Sequence, residues 1–185
     1  MEWIEVVIEE YKTIRTESLE SIKSQQTTLN IGTAIAGAIV VAGFNLWNEN
    51  LLPALIFLFF IPLICYLILL IWLGEVSRMM RAGKYLKEIE EKISKEFKKK
   101  EKPLNFENWL RKKKKDGTTE QTKWNYISVI ALFLFFALSS VAIGNWKLKI
   151  HNQFEIKWFV IINILELIGL IIICSFIYFT QKRYK

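Results

Sequence analysis

The sequence predicts an all-α fold: an integral membrane four-helix bundle with helical extensions on the cytosolic side. Its apolar residues gather into four blocks, at 29–47, 53–74, 124–146 and 158–180. Roughly twenty apolar residues at ~1.5 Å each cover a ~30 Å hydrocarbon core. The second block contains PALIFLFFIPLICYLILLIW, without a charge, whereas the amphipathic helix of a soluble protein keeps a polar face. Four segments are too few to close a barrel, so helices must satisfy the backbone within lipid.

Composition narrows the function. Outside the blocks too little chain remains for a separate enzyme domain, and no catalytic motif stands out, so the protein is expected to be non-enzymatic and without a cofactor. Cys65 and Cys174 fall inside spans, without a CxxC pair, and His151 is the lone histidine, so neither a disulfide nor a metal site is expected. The opening MEWIEVVIEE is acidic and amphipathic, unlike a secretory signal, and is expected to be retained. Between residues 75 and 124 there are sixteen Lys and Arg against nine acids, and the turn at 48–52 has no basic residue. The positive-inside rule then places both termini and the central segment in the cytoplasm, and the expected membrane is the bacterial inner one. Lys147, Lys149 and Lys157 argue the other way but are outnumbered.

The elements follow in order. Residues 1–28 place Ile4, Val7, Ile8, Tyr11, Ile14, Leu19 and Ile22 mostly at three- and four-residue steps, a cytosolic amphipathic helix feeding the first span. Its polar stretch at 24–28 marks the membrane surface. The first span carries Gly32, Ala36, Gly37 and Gly43 among small residues on more than one face, which suits close helix packing within one copy and between copies. In the second span Pro62 cannot donate to the carbonyl of Leu58 and favours a kink. Residues 75–99 extend it as a cytosolic helix whose Met79, Ala82, Leu86, Ile89, Ile93 and Phe97 form a stripe, expected to pack on the stripe of the N-terminal helix as a stalk. The competing expectation lays the N-terminal helix in the headgroup layer. Arg78, Arg81 and Lys84 are candidates for contact with an anionic partner, or for ion pairs with Glu5, Glu9 or Glu10.

The basic segment 100–123 sets Leu104, Phe106, Trp109 and Leu110 beside Lys112, Lys113, Lys114 and Lys115, which suits an anionic inner leaflet at about 1 kcal/mol per lysine, or simply a solvated positive-inside signal. No nucleic acid is expected as partner. Asp116 and Gly117 signal a turn, and Thr118 with Gln121 matches a capping box that starts the third helix ahead of its span at 124–146. Trp47, Trp72, Trp146 and Trp158 sit near span ends as interfacial anchors. In the fourth span, which ends before the tail at 181–185, Glu166 lies eight residues in, ~12 Å from the outer end, with Asn163 one turn before it. An acid at that depth is a functional suspect by default. Its two readings are a structural hydrogen bond to the Leu58 carbonyl and a lining of an ion or proton path in an oligomer. Ser139 and Ser140 in the third span are expected at about the depth of Asn163, as interhelical glue rather than as a catalytic pair.

EYKTIR, then a small-residue span, then GEVSRMMRAGKYLKEIE and finally NFENWLR resemble a loose group of small bacterial four-span membrane proteins with an EYxxLR-type N-terminal helix. Glu10, Tyr11, Lys12 and Arg15 match its first element, and Arg78, Arg81, Tyr85 and Glu90 the second. Glu107 and Trp109 approximate a third, with Phe106 where a tryptophan is expected. In architecture the chain is also similar to four-helix membrane effectors of antiphage systems, although it carries no recognisable cyclic-nucleotide domain. That likeness implies a homo-oligomer that alters membrane integrity on a cytosolic protein or nucleotide signal. The alternative is a constitutive membrane anchor, or accessory subunit, for a soluble partner.

Overall fold

A computed structural model describes residues 2–49, 52–96, 118–151 and 156–183. Among them every regular element is helical: α1 (Glu2–Asn45), the short α2 (Leu52–Leu55), a π-helical turn (Ile56–Phe60), α3 (Ile61–Glu96), α4 (Thr118–His151) and α5 (Ile156–Arg183). The fold is all-α. Three stretches, Trp3–Asn45, Leu52–Lys95 and Trp124–Lys149, are long and apolar enough to cross a membrane, and the described part of α5 holds a shorter apolar stretch, Leu167–Tyr178.

Local chemistry explains the boundaries. The polar stretch at 24–28 does not interrupt α1, since it contains neither Pro nor Gly and Gln is a good helix former. Pro62 does not break its helix either. The residues before it widen into the π-helical turn, in which the Ile61 N–H reaches the carbonyl of Ile56, one residue further back than in an α-helix.

The described residues of the chain fall into two compact units, one from Met1–Gln26 and Gly74–Ile127, the other from Thr27–Leu73 and Ser128–Lys185. In the second unit the α2–α3 column is the core. Half of its apolar window is buried, against about a fifth in α1 and α4, and Phe57, Ile61, Cys65, Leu69, Phe133, Ala137 and Ile173 share one cluster. The second block is therefore apolar all round because neighbouring helices cover it, as well as lipid. Glycines on three other helices make room for its large side chains. A Cβ at Gly32 would stand 2.7 Å from Ile68 Cγ2, at Gly43 2.8 Å from Phe57 Cε2, at Gly144 2.5 Å from Leu58 Cγ and at Gly169 2.9 Å from Tyr66 Cε2.

The first unit is a helix pair. Tyr11, Leu86, Ile89 and Ile93 form its buried cluster, with Val7 and Ile14 packed against it. Part of the expected stripe is corrected here: Ile8, Leu19 and Ile22 are exposed, at 38%, 59% and 40%. The seam continues instead through Ser21 and Gln25, both buried. Strict three- and four-residue steps from Ile4 through Val7, Tyr11 and Ile14 arrive at positions 18, 21 and 25, so Leu19 and Ile22 fall one step off the line. Phe97 lies outside the described residues.

Candidate functional site

The first unit brings together residues from the first two elements of the sequence resemblance, whereas Glu107 and Trp109 of the third lie outside the described residues. The Tyr11 hydroxyl donates to Glu90 Oε1 at 3.3 Å, and the Tyr85 hydroxyl donates to Glu10 Oε1 at 2.6 Å. The Glu-Tyr pair of α1 and the Tyr and Glu of α3 therefore clasp each other reciprocally. Two residues five apart on α3 meet adjacent residues on α1 because only the Tyr11–Glu90 contact lies in the seam, while Tyr85 reaches Glu10 from the flank. Arg78 Nε donates to Glu17 Oε1 at 2.9 Å, and the Ser21 hydroxyl lies 2.7 Å from the Glu75 carbonyl and 2.9 Å from its Oε2. These contacts bridge α1 and α3 at intervals along the pair. Arg78 thus pairs with Glu17 across the helices and with Glu75 on its own helix at 4.0 Å, in place of the expected Glu5, Glu9 or Glu10.

Burial ranks these contacts. Glu90 is fully buried and Tyr11 nearly so, so their bond is formed where an unmet carboxylate would be costly. Arg78 and Glu17 keep about two fifths of their side chains in solvent, and such a pair contributes at most about 1 kcal/mol. Arg81 and Lys84 stand exposed. Ser94 Oγ is buried with no hydrogen-bond partner among the described residues.

Both clasp tyrosines titrate above their ordinary value. Burial is the main cause at Tyr11, reinforced by the Glu90 charge and opposed by Arg15, whereas at Tyr85 the bond to Glu10 dominates. A raised tyrosine pKa favours the protonated, neutral form in the folded state. The contribution is therefore complete below the unfolded value of about 10 and is lost as pH rises through the folded one. Alkaline titration followed by tyrosinate absorbance is expected to show Tyr11 and Tyr85 ionising late, with loss of the α1–α3 pairing as they ionise. Loosening that precedes their ionisation would contradict this.

The second unit holds a polar group of its own. Asn145 Nδ2 donates to Asn163 Oδ1 at 3.3 Å, joining α4 to α5. This corrects the expected grouping of Asn163 with the serines. Ser140 donates to the Ala137 carbonyl of its own helix at 2.8 Å and Ser139 is half-buried. With position 145 facing 163, antiparallel helices set 139 and 140 level with residues near 169 instead. Asn145 Oδ1 is buried and without a partner among the described residues. Lys147, read from sequence as a topological charge, is buried: its Nζ donates to the Trp47 carbonyl at 2.5 Å and lies 4.9 Å from the Trp47 ring. It satisfies one of the last carbonyls beyond the end of α1. Trp47 in turn stacks near Phe57 and Trp146, at 6.1 Å from each.

The small residues of the first span divide. Gly32 and Gly43 are buried against Ile68 and Phe57, Ala36 is half-buried, and Gly37 is exposed with nothing within 4 Å of where its Cβ would be. The side chain of Glu166 lies outside the described residues, as do Lys112, Lys113, Lys114 and Lys115 and the side chains of Thr118 and Gln121. Among the described residues no group of His, Cys, Asp and Glu could hold a metal.

Sequence reasoning found Tyr11 in the α1 stripe and Glu90 only as a member of a motif, and missed Asn145, Ser21 and Glu17. A polar residue recurring at seam spacing, as at 18, 21 and 25, was the available signal. Compared with known protein families, curated proteins and solved structures, the chain has no match.

Proposed function

We propose that this protein is a non-enzymatic, self-associating effector or sensor of the bacterial inner membrane. It crosses the bilayer four times with both termini in the cytoplasm, and it acts in antiphage defence by altering membrane integrity on a cytosolic signal. The observation that carries this reading is the clasp: α1 and α3 bear it, and the same unbroken helices continue into the apolar stretches. A helix is stiff over such lengths, so a partner that parts or turns the clasped segments moves the spans with them. The open face at Gly37 supplies the surface for copies to meet in lipid, where close packing rather than water exclusion drives association. Arg81 and Lys84 are available to an anionic partner, and the lysine run at 112–115 to the anionic leaflet.

The test is expression of the full chain in bacteria at rising levels while membrane potential is recorded. Wild type is expected to depolarise the membrane, and Gly37→Leu to abolish this while leaving insertion intact. Glu166→Gln abolishes it only where that carboxyl lines the conducting path. Unchanged potential with well-inserted wild-type protein would overturn the effector reading and favour the constitutive anchor.

A further inference from the structure

Away from its seam with α3, the N-terminal part of α1 keeps two exposed flanks. At about 100° per residue, Ile8, Lys12, Leu19 and Lys23 line one of them, and Val6, Glu9 and Glu20 the other, with Trp3, in line with Ser21, at its edge against the seam. All of these side chains except Ser21 are exposed, the apolar ones by 38% at Ile8, 59% at Leu19, 51% at Trp3 and 64% at Val6. The flanks thus each carry exposed apolar residues and have opposite charge. The charges also share a spacing. Glu9 and Glu20 are eleven residues apart, as are Lys12 and Lys23, and eleven residues complete about three helical turns. Each pair therefore stays in line along α1, with the lysines three residues beyond the glutamates.

We infer that these flanks are the two halves of a head-to-tail interface, in which Glu9 and Glu20 of one copy meet Lys12 and Lys23 of the next. This rests on the self-association and common orientation proposed above. Copies inserted the same way run their α1 helices in parallel, and the three-residue offset is about 4.5 Å, within reach of paired Glu and Lys side chains. Val6 and Trp3 then come level with Ile8 of the next copy and cover it, where the α1–α3 seam leaves it exposed. Because the two flanks differ, the contact is heterologous, and repetition about an axis closes it into a ring. An isologous contact would set lysine against lysine. Exposed ion pairs are weak singly, so the charges choose the partner flank and register while Val6 and Trp3 against Ile8 supply the apolar contact.

The bland alternative is that Glu9 with Lys12, and Glu20 with Lys23, pair within one helix at three-residue spacing. A charge exchange separates the two, read as energy transfer between two fluorescent fusions of the full chain in bacterial membranes. Lys12→Glu with Lys23→Glu makes both flanks acidic, and Glu9→Lys with Glu20→Lys makes both basic. Either variant alone is expected to lose transfer several-fold, and the two co-expressed to recover it to within about twofold of wild type. Variants that associate like wild type overturn the interface, and so does a mixture that fails to recover while both chains resist trypsin like wild type. Where reversal prevents folding, Lys12→Gln with Lys23→Gln must still weaken transfer, and full retention overturns the proposal. Wild-type copies showing no transfer would sink the self-association reading itself, whereas charge-insensitive transfer would remove this interface alone.

Discussion

Gly144→Ala is expected to lower the stability of the second unit more than alanine at Gly32, Gly37, Gly43 or Gly169. The new Cβ would stand 2.5 Å from Leu58 Cγ and 3.1 Å from the Leu58 backbone nitrogen. A side-chain rotation cannot clear the backbone contact, so α4 must move away from the π-helical turn. Overpacking of this kind costs on the order of 1–3 kcal/mol, and Gly144→Val, with more atoms at the same place, should cost more. Gly37→Ala is the control, since nothing lies within 4 Å of its Cβ position. Thermal denaturation in lipid nanodiscs, followed by far-ultraviolet circular dichroism, compares the two. A Gly144→Ala protein that melts with wild type would show that α4 does not seat Leu58 as closely as described.

The second large effect belongs to the clasp, and its sign depends on how many partners are removed. Tyr11→Ala deletes a buried aromatic ring from the cluster with Leu86, Ile89 and Ile93 and takes a donor from buried Glu90. Loss of a core aromatic costs on the order of 3 kcal/mol or more, and a partly unmet buried carboxylate adds about 1–3 kcal/mol. Tyr11→Phe isolates the second contribution. Replacing both groups, Tyr11→Phe with Glu90→Leu, is expected to recover most of the loss or exceed wild type, because exchanging a buried polar pair for apolar residues is often neutral or stabilising. Tyr85→Phe should change little, as the Tyr85–Glu10 bond is exposed. Hydrogen exchange of the α1 and α3 amides measures all four variants. The ranking fails if Tyr85→Phe loosens the pair as much as Tyr11→Phe does, or if the double replacement is as unstable as Tyr11→Ala.

Much of the fold was legible because it depends on one-dimensional quantities. Run length and lack of charge mark the apolar blocks, and helical period marks the stripe of α3, so the all-α membrane architecture follows from composition and spacing alone. The α1 stripe was read less well. Apolar identity drew Leu19 and Ile22 into a seam that geometry runs through Ser21 and Gln25, because small or polar residues can occupy seam positions when the facing helix offers them partners, as Glu75 does for Ser21. Lys147 shows the same gap from the other side: its charge was visible, but not the Trp47 carbonyl that receives it, a hundred residues away in sequence.

By itself the sequence determined that this chain is helical, membrane-suited and amphipathic at its N-terminal end, since hydropathy and period act over neighbouring residues. Only the tertiary structure decided which glycines seat a neighbour and which lies open, since Gly32, Gly37, Gly43 and Gly144 are chemically identical and differ in what faces them. Tertiary structure likewise turned two separate Glu–Tyr patterns into one reciprocal clasp. Hydrogen bonds form over about 3 Å, and residues some eighty positions apart in the chain are brought within that distance only when α1 and α3 pack.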